Sequence, residues 1–288
     1  MTNAIPAFRL LRSAIDPRAN ALVAREAILT LWRHRQLCGE MTKRDLGGQF
    51  AGQMFARFWV FGHPLLLFAV YIFLFAIVLR VRIPETASMP RDYTTYILAG
   101  LAPWLTIQQA LARTSSSLIS QANIVKQVVF PVEVLPCGAV LVAFVPFCIG
   151  VTMLTIYTSI TGSVPPATYL LLPLVVFLLF LFLTGLGFLL AALTPFFRDL
   201  KDIVAVLTMI GVYMVPAFYL PQWIPPFFKV FLYINPFSYV IWVFQDILYY
   251  GSIVHVAAWI VLLIISPVSF VGGYRVFRAV RPYVANVL

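Results

Sequence analysis

From Val134 to Phe197 the chain has no Asp, Glu, Lys, Arg or His in 64 residues. Water-soluble domains carry about 25% charged residues, so a run of this kind is excluded from a solvated fold and belongs in a bilayer. A helix crosses the roughly 30 Å hydrocarbon core with about 20 residues. The run therefore holds two spans, with the polar, Pro-bearing stretch Thr161 to Thr168 as the turn between them. Cysteine is equally scarce. Cys38, Cys137 and Cys148 show neither a paired framework nor metal-ligand spacing, and they read as packing residues. The chain has no phosphate loop, no His-Glu-x-x-His pair and no Ser or Cys nucleophile with a plausible base. The first twenty residues lack the continuous apolar core of a cleavable signal peptide, so this segment is expected to stay on the mature protein.

What is present is apolar. Hydrophobic residues make up 62% and charged residues 10%, against about 45–50% and 25% in soluble domains. The longest polar region is the first 57 residues, too little for a separate soluble domain of ordinary size. Six uncharged runs have spanning length: Phe58 to Leu79, Tyr93 to Ala112, Val134 to about Thr161, about Thr168 to Phe197, Ile203 to Leu220, and Ile253 to Tyr274. The alternating pattern of a membrane barrel is absent, so the runs read as helices, which satisfy their own backbone hydrogen bonds.

Charge sets the orientation. The segments before the first run, between the second and third, between the fourth and fifth, and after the sixth carry sixteen Lys and Arg; the opposite side carries four, Arg80, Arg82, Arg91 and Lys229. Positive loops stay in the cytoplasm, which puts both termini there. The net charge of +10 is thus a topology signal, and no nucleic-acid partner is expected.

No run contains Asp, Glu, Lys or Arg in its interior; His63 and His255 are isolated and read as packed or interfacial. Ion-coupled transporters keep ionisable groups at mid-membrane, so a secondary transporter is disfavoured. If cargo moves uphill, another chain supplies the energy.

Pro221 to Ser252 is unusual: 32 residues with only Lys229 and Asp246 charged, and eleven aromatic positions. Pro225, Pro226 and Pro236 divide it into pieces of about 10–14 residues, the length of re-entrant or interfacial helices. Two short helices dipping into the outer leaflet fit the composition, and an aromatic belt at headgroup level fits it equally well. On the cytoplasmic side, Arg25 to Asp45 reads as an amphipathic interfacial helix, with Ile28, Leu31, Trp32, Cys38 and Met41 roughly on one stripe and Arg33, Arg35, Lys43 and Arg44 around it. Ser115 to Pro131 reads as a Ser-rich, partly amphipathic loop.

Taken together, these segments carry a resemblance. NIVKQVVFPVEVLP, Asn123 to Pro136, resembles the hydrophobic-Lys, Phe-Pro, Glu-x-Leu-Pro segment of ABC exporter permeases that move polysaccharides of the O-antigen, capsule and teichoic-acid type. FFRDL (Phe196 to Leu200) and YINPFSYVIWVFQDILYYG (Tyr233 to Gly251) follow in the family order. RDLGGQF and the Gly-x-Pro of Gly62 to Pro64 precede it. The similarity covers about residues 25 to 280. Two positions depart: Trp242 and Gln245 stand where an acidic residue and Arg are frequent, and Val132 stands where a basic residue often follows Phe-Pro.

The resemblance implies an all-α membrane protein of six transmembrane helices, with an N-terminal cytoplasmic amphipathic helix and two short re-entrant helices between spans five and six. The domains would be an N-terminal segment over 1–57, a transmembrane domain over 58–280 and a cytoplasmic tail over 281–288. It implies a homodimer in the bacterial inner membrane, bound by two copies of a separate ATPase that holds ATP and Mg. This chain itself would bind no cofactor and catalyse no reaction. Asn123, Ile124, Lys126, Gln127 and Glu133, with Arg33 and Arg35 nearby, would couple to the ATPase. Trp223, Phe227, Phe228, Phe231 and Tyr239 would line the outer gate. The cargo would be a glycan on a polyprenyl diphosphate lipid, whose sugar faces pack on aromatic rings. A drug or lipid efflux permease of the same superfamily is the alternative within transport. A membrane-embedded glycan or lipid transferase fits the sparse external charges poorly.

Overall fold

A computed structural model describes residues 17–49, 55–79, 90–123, 131–162 and 164–287. Among the described residues the chain is all-helical. Helices α1 (Pro17–Arg33) and α2 (Arg35–Gly48) come first. They are followed by α3 (Ala56–Ile72, extended by a π-helical turn to Val78), α4 (Tyr93–Ser120), α5 (Val134–Ile160) and α6 (Leu172–Leu193). Then come α7 (Leu200–Gly211), α8 (Pro226–Ile234), α9 (Pro236–Gln245, with a π-helical turn to Tyr250) and α10 (Val256–Val287).

Among the described residues four helices are long and apolar enough to cross a bilayer, Phe58–Val78, Val134–Ile160, Ala167–Leu193 and Val256–Val284, and the pair α8 and α9, bent by 90°, makes a fifth if taken as one span. The chain is therefore a multi-pass membrane protein. Four expected runs fall where the apolar pattern put them. Helix α4 is also long enough to cross but less apolar, for a structural reason: nearly all of it is buried inside the protein, against α5, α6, α7 and α9. It needs no apolar face toward lipid. Its start is fixed by Asp92, whose carboxylate accepts from the Thr95 N–H (3.3 Å), the Thr95 hydroxyl (2.6 Å) and the Tyr157 hydroxyl (2.9 Å).

Three expectations are corrected. Ser115 to Ser120, read as the start of a loop, are the last turns of α4; their hydroxyls bond back to carbonyls three or four residues earlier, as Ser115 does to Ala112 (2.8 Å) and Ser117 to Thr114 (2.8 Å). The single amphipathic helix is two helices, broken at His34. The fifth run is not a continuous span. Helix α7 ends at Gly211 and passes through a 3-10 turn to Met214; Val215 is then extended (φ −123°, ψ 155°), as the residue before a proline prefers.

The tightest packing lies between α6 and α10. A Cβ on Gly273 would come within 1.9 Å of the Gly185 carbonyl oxygen, and one on Gly185 within 2.2 Å of the Ser269 backbone. Small residues let the backbones meet, which is how membrane helices gain packing where lipid offers no hydrophobic drive. Helix α10 continues past the expected sixth run to Val287, so residues 281–287 extend the same rod.

Candidate functional site

Two ends of the helical bundle carry the polar chemistry. At the end away from the described termini, the non-helical stretch after α7 is held by side chains. The Pro216 carbonyl accepts from the Gln245 amide (2.7 Å) and the Tyr96 hydroxyl (3.1 Å), and Tyr96 also donates to the Tyr219 carbonyl (3.1 Å). Tyr93 donates to the Phe218 carbonyl. Freed backbone groups at membrane depth have to be satisfied in this way. Gln245, a departure from the resembled pattern, is thus a fully buried clamp on Pro216. Close contact of Gly100 with Ala217, where a Cβ would meet the Ala217 Cα at 2.9 Å, seats the loop on α4.

Asp246 anchors the same end. It is 1% exposed and accepts from the His255 N–H (3.0 Å) and the Trp259 indole (3.0 Å); His255 Nδ1 stands 2.7 Å from its other oxygen. A carboxylate facing Nδ1 sets that nitrogen as the protonated one. His255 stacks on Trp242 with centroids 5.5 Å apart and planes 10° apart. The histidine read as isolated is therefore packed, but through a buried carboxylate nine residues back. No motif spacing signals this pair; only the fold of α9 onto α10 makes it.

The expected gate aromatics separate into three places. Phe227, Phe228 and Phe231 form one exposed trio on α8, with centroids 5.6–6.4 Å apart. Trp223 leans on Tyr93 of α4 at 5.7 Å. Tyr239 lies on α9, donating to the Tyr233 carbonyl (2.6 Å) and set edge-on to Trp242. Phe228 and Phe231 line a cavity of about 420 Å³ with Tyr213, Met214 and Tyr219. Tyr239 belongs to another, of about 530 Å³, with Tyr233, Trp242, Tyr250 and His255.

At the terminal end, Asn123 is exposed just beyond α4. Ile124, Lys126 and Gln127 lie outside the described residues. Glu133, immediately before α5, is buried and paired with Arg281 of α10 (2.6 Å, side chains 3% and 48% exposed). It does not present a free carboxylate. Arg33 and Arg35 are exposed; Arg35 donates to the Trp32 carbonyl (3.2 Å) and sits 5.1 Å over the Trp32 ring. Helix α2 docks on α5 through Cys38 and Cys137, both buried. The neighbouring Cys137 thiol holds the Cys38 thiol below its ordinary range.

A bundle of apolar helices with buried polar clamps at both ends suits a channel or carrier subunit. The ABC-2 type transporter family matches residues 36–249, and the chain belongs to that family; it is a transport component of an ABC transporter. Among its relatives are two proteins of Klebsiella pneumoniae described as O-antigen export system permease protein RfbA. One is 28% identical over 214 residues, 74% of this chain and 80% of the relative. The other is 26% identical over 249 residues, 86% of this chain and 93% of the relative. A Myxococcus xanthus protein of the same description is 27% identical over 66% of this chain and 70% of its own length.

Proposed function

We propose that the chain is the channel-forming membrane subunit of an ATP-driven exporter that carries a polysaccharide of the O-antigen type across the bacterial inner membrane. The observation that supports this most directly is colinearity: similarity to an O-antigen export permease runs along 93% of that protein and 86% of this chain. In this reading α3, α4, α5, α6 and α10 serve as five spans and α7 with the non-helical stretch after it completes a sixth crossing, α1 and α2 lie on the cytoplasmic surface, and α8 and α9 dip into the outer leaflet and turn back. Both termini are cytoplasmic. Two copies enclose the pore, and each binds a separate ATPase that holds ATP and Mg. Asn123, Ile124, Lys126 and Gln127 reach the ATPase, flanked by Arg33 and Arg35, while Glu133 anchors the end of that segment. The cargo is a glycan on a polyprenyl diphosphate lipid, and exposed rings such as Phe227 and Phe231 offer it stacking surfaces without a fixed charge to hold it.

Deletion of the chain from its host tests the assignment. Surface glycan should disappear and lipid-linked glycan accumulate inside, with both reversed when the chain is restored together with its ATPase. Intact surface glycan in the deletion strain, with drug or lipid efflux lost instead, would overturn the cargo. The purified chain alone should hydrolyse no ATP.

A further inference from the structure

Helix α10 is tied by carboxylates at both of its ends. Toward its start, His255 and the Trp259 indole hold Asp246, the residue that follows α9. Toward its end, Arg281 holds Glu133 (2.6 Å) and Arg278 holds Glu26 of α1 (2.5 Å). The whole helix runs 32 residues, about 48 Å at 1.5 Å per residue; from Trp259 to Arg281 it is continuous through Pro267 and covers about 33 Å of that, and Gly273 locks it against Gly185 of α6. The terminal end is more than a pair of charges. Phe277, Tyr274, Phe270 and Val284 of α10 pack in one core with Ala27 of α1, Leu118 of α4, Val132 and Leu135 of the segment entering α5, and Phe188 of α6. The four pieces that meet at the base of the 123–133 segment thus meet on α10.

The Glu133 carboxylate is the asymmetric member of this arrangement. It is 3% exposed; among the described residues only one of its oxygens is partnered, and the other is buried without a bond. A buried carboxylate of that kind depends strongly on its single cation, because removing the partner leaves an uncompensated charge. Arg278 and Glu26 are both far more exposed, and pairs of that kind contribute little.

We propose that Arg281 is a positioning residue for coupling: through Glu133 it fixes the exit of the 123–133 segment to α10, and α10 carries the displacement to Asp246 and the outer aromatic helices. This rests on the exporter reading above, in which that segment receives the ATPase. A rigid rod clamped at both ends transmits a movement that a flexible tail would absorb.

The test uses the intact complex of permease and ATPase, measuring surface glycan in cells and ATP hydrolysis of the purified complex in lipid vesicles, both normalised to assembled complex. The wild-type complex first has to export glycan, and its failure to do so would count against the exporter reading rather than against Arg281. With that in hand, Arg281→Gln should lower glycan exported per ATP hydrolysed by roughly fivefold or more, the lower range of coupling between sites. Arg281→Lys should restore most of the ratio, and so should the exchanged pair Arg281→Glu with Glu133→Arg. Arg278→Gln should leave it unchanged. A role confined to folding would reduce the amount of complex and leave the ratio alone. Should Arg281→Gln fail to assemble, Arg281→Lys and the exchanged pair decide. Wild-type coupling in assembled Arg281→Gln, or no recovery of the ratio in an assembled exchanged pair, overturns the proposal.

Discussion

Two glycines side by side on α10 differ in what surrounds them. Among the described residues a methyl group on Gly272 meets nothing within 4 Å, whereas one on Gly273 would sit 1.9 Å from the Gly185 oxygen. Backbone atoms cannot swing aside as a flexible side chain can, and overpacking costs about 1–3 kcal/mol or more. Gly273→Ala should therefore lower the melting temperature of the detergent-solubilised protein and its level in the membrane, while Gly272→Ala should change neither. Equal behaviour of the two variants would contradict the close crossing. Asp246 gives a second contrast. Alanine there strips the acceptor from the His255 N–H, the His255 ring and the Trp259 indole together. A buried donor left unsatisfied costs about 1–3 kcal/mol, so Asp246→Ala should destabilise clearly. Asn keeps one acceptor oxygen, and Asp246→Asn should fall between the two, as read by thermal unfolding of the purified protein.

At the scale of elements, the apolar runs reported α3, α5 and α6 closely because each presents apolar surface outward or to neighbours along its whole length, and that periodic content is in the sequence. The failures have specific causes. Ser115 to Ser120 read as a loop because serine prefers turns, yet here the hydroxyls fold back on the carbonyls of α4 and the core around them tolerates it. Helix α7 stops early because of a single proline, Pro216, and no composition average over eighteen residues registers that. Residues 281–288 read as a tail, but Arg281 is paired across the fold to Glu133, and Arg278 just before it to Glu26, partners more than a hundred residues away. The site residues were least legible for the same reason: Asp246 with His255, and Gln245 with Pro216, are contacts of tertiary structure. The docking of α2 on α5 can be tested through the cysteines. Cys38 and Cys137 share one small buried cluster, so the two thiols come together only while α2 is seated on α5. Mild oxidation in native membranes should join them, so that denatured protein shows one alkylatable thiol, Cys148, in place of three; reductant should return all three. Three free thiols after oxidation of a reactive control protein would mean that α2 is not seated on α5.

For the whole molecule the question is what covers α7. At 12 residues it rises about 18 Å, short of the roughly 30 Å hydrocarbon core, and it gives way to non-helical backbone after Met214. Only one side of it is buried, through Val204, Thr208 and Gly211; Ile203, Val206, Leu207, Ile210 and Tyr213 are exposed. Irregular backbone at membrane depth persists only where protein or a water-filled cavity shields it from lipid. In the proposed dimer the exposed side of α7 faces the second copy or the pore, whereas the exposed side of α10, on a helix long enough to cross by itself, faces lipid. That difference sets the expected cross-linking pattern. Single cysteines at Val206, Leu207 or Ile210, in a background lacking the three native thiols, should give disulfide-linked dimers in native membranes. Cysteines at Ile260 or Ile264 on α10, which are comparably exposed, should not. Dimers formed from α10 and never from α7 would move the interface to the opposite face and leave the short helix without the cover its length demands.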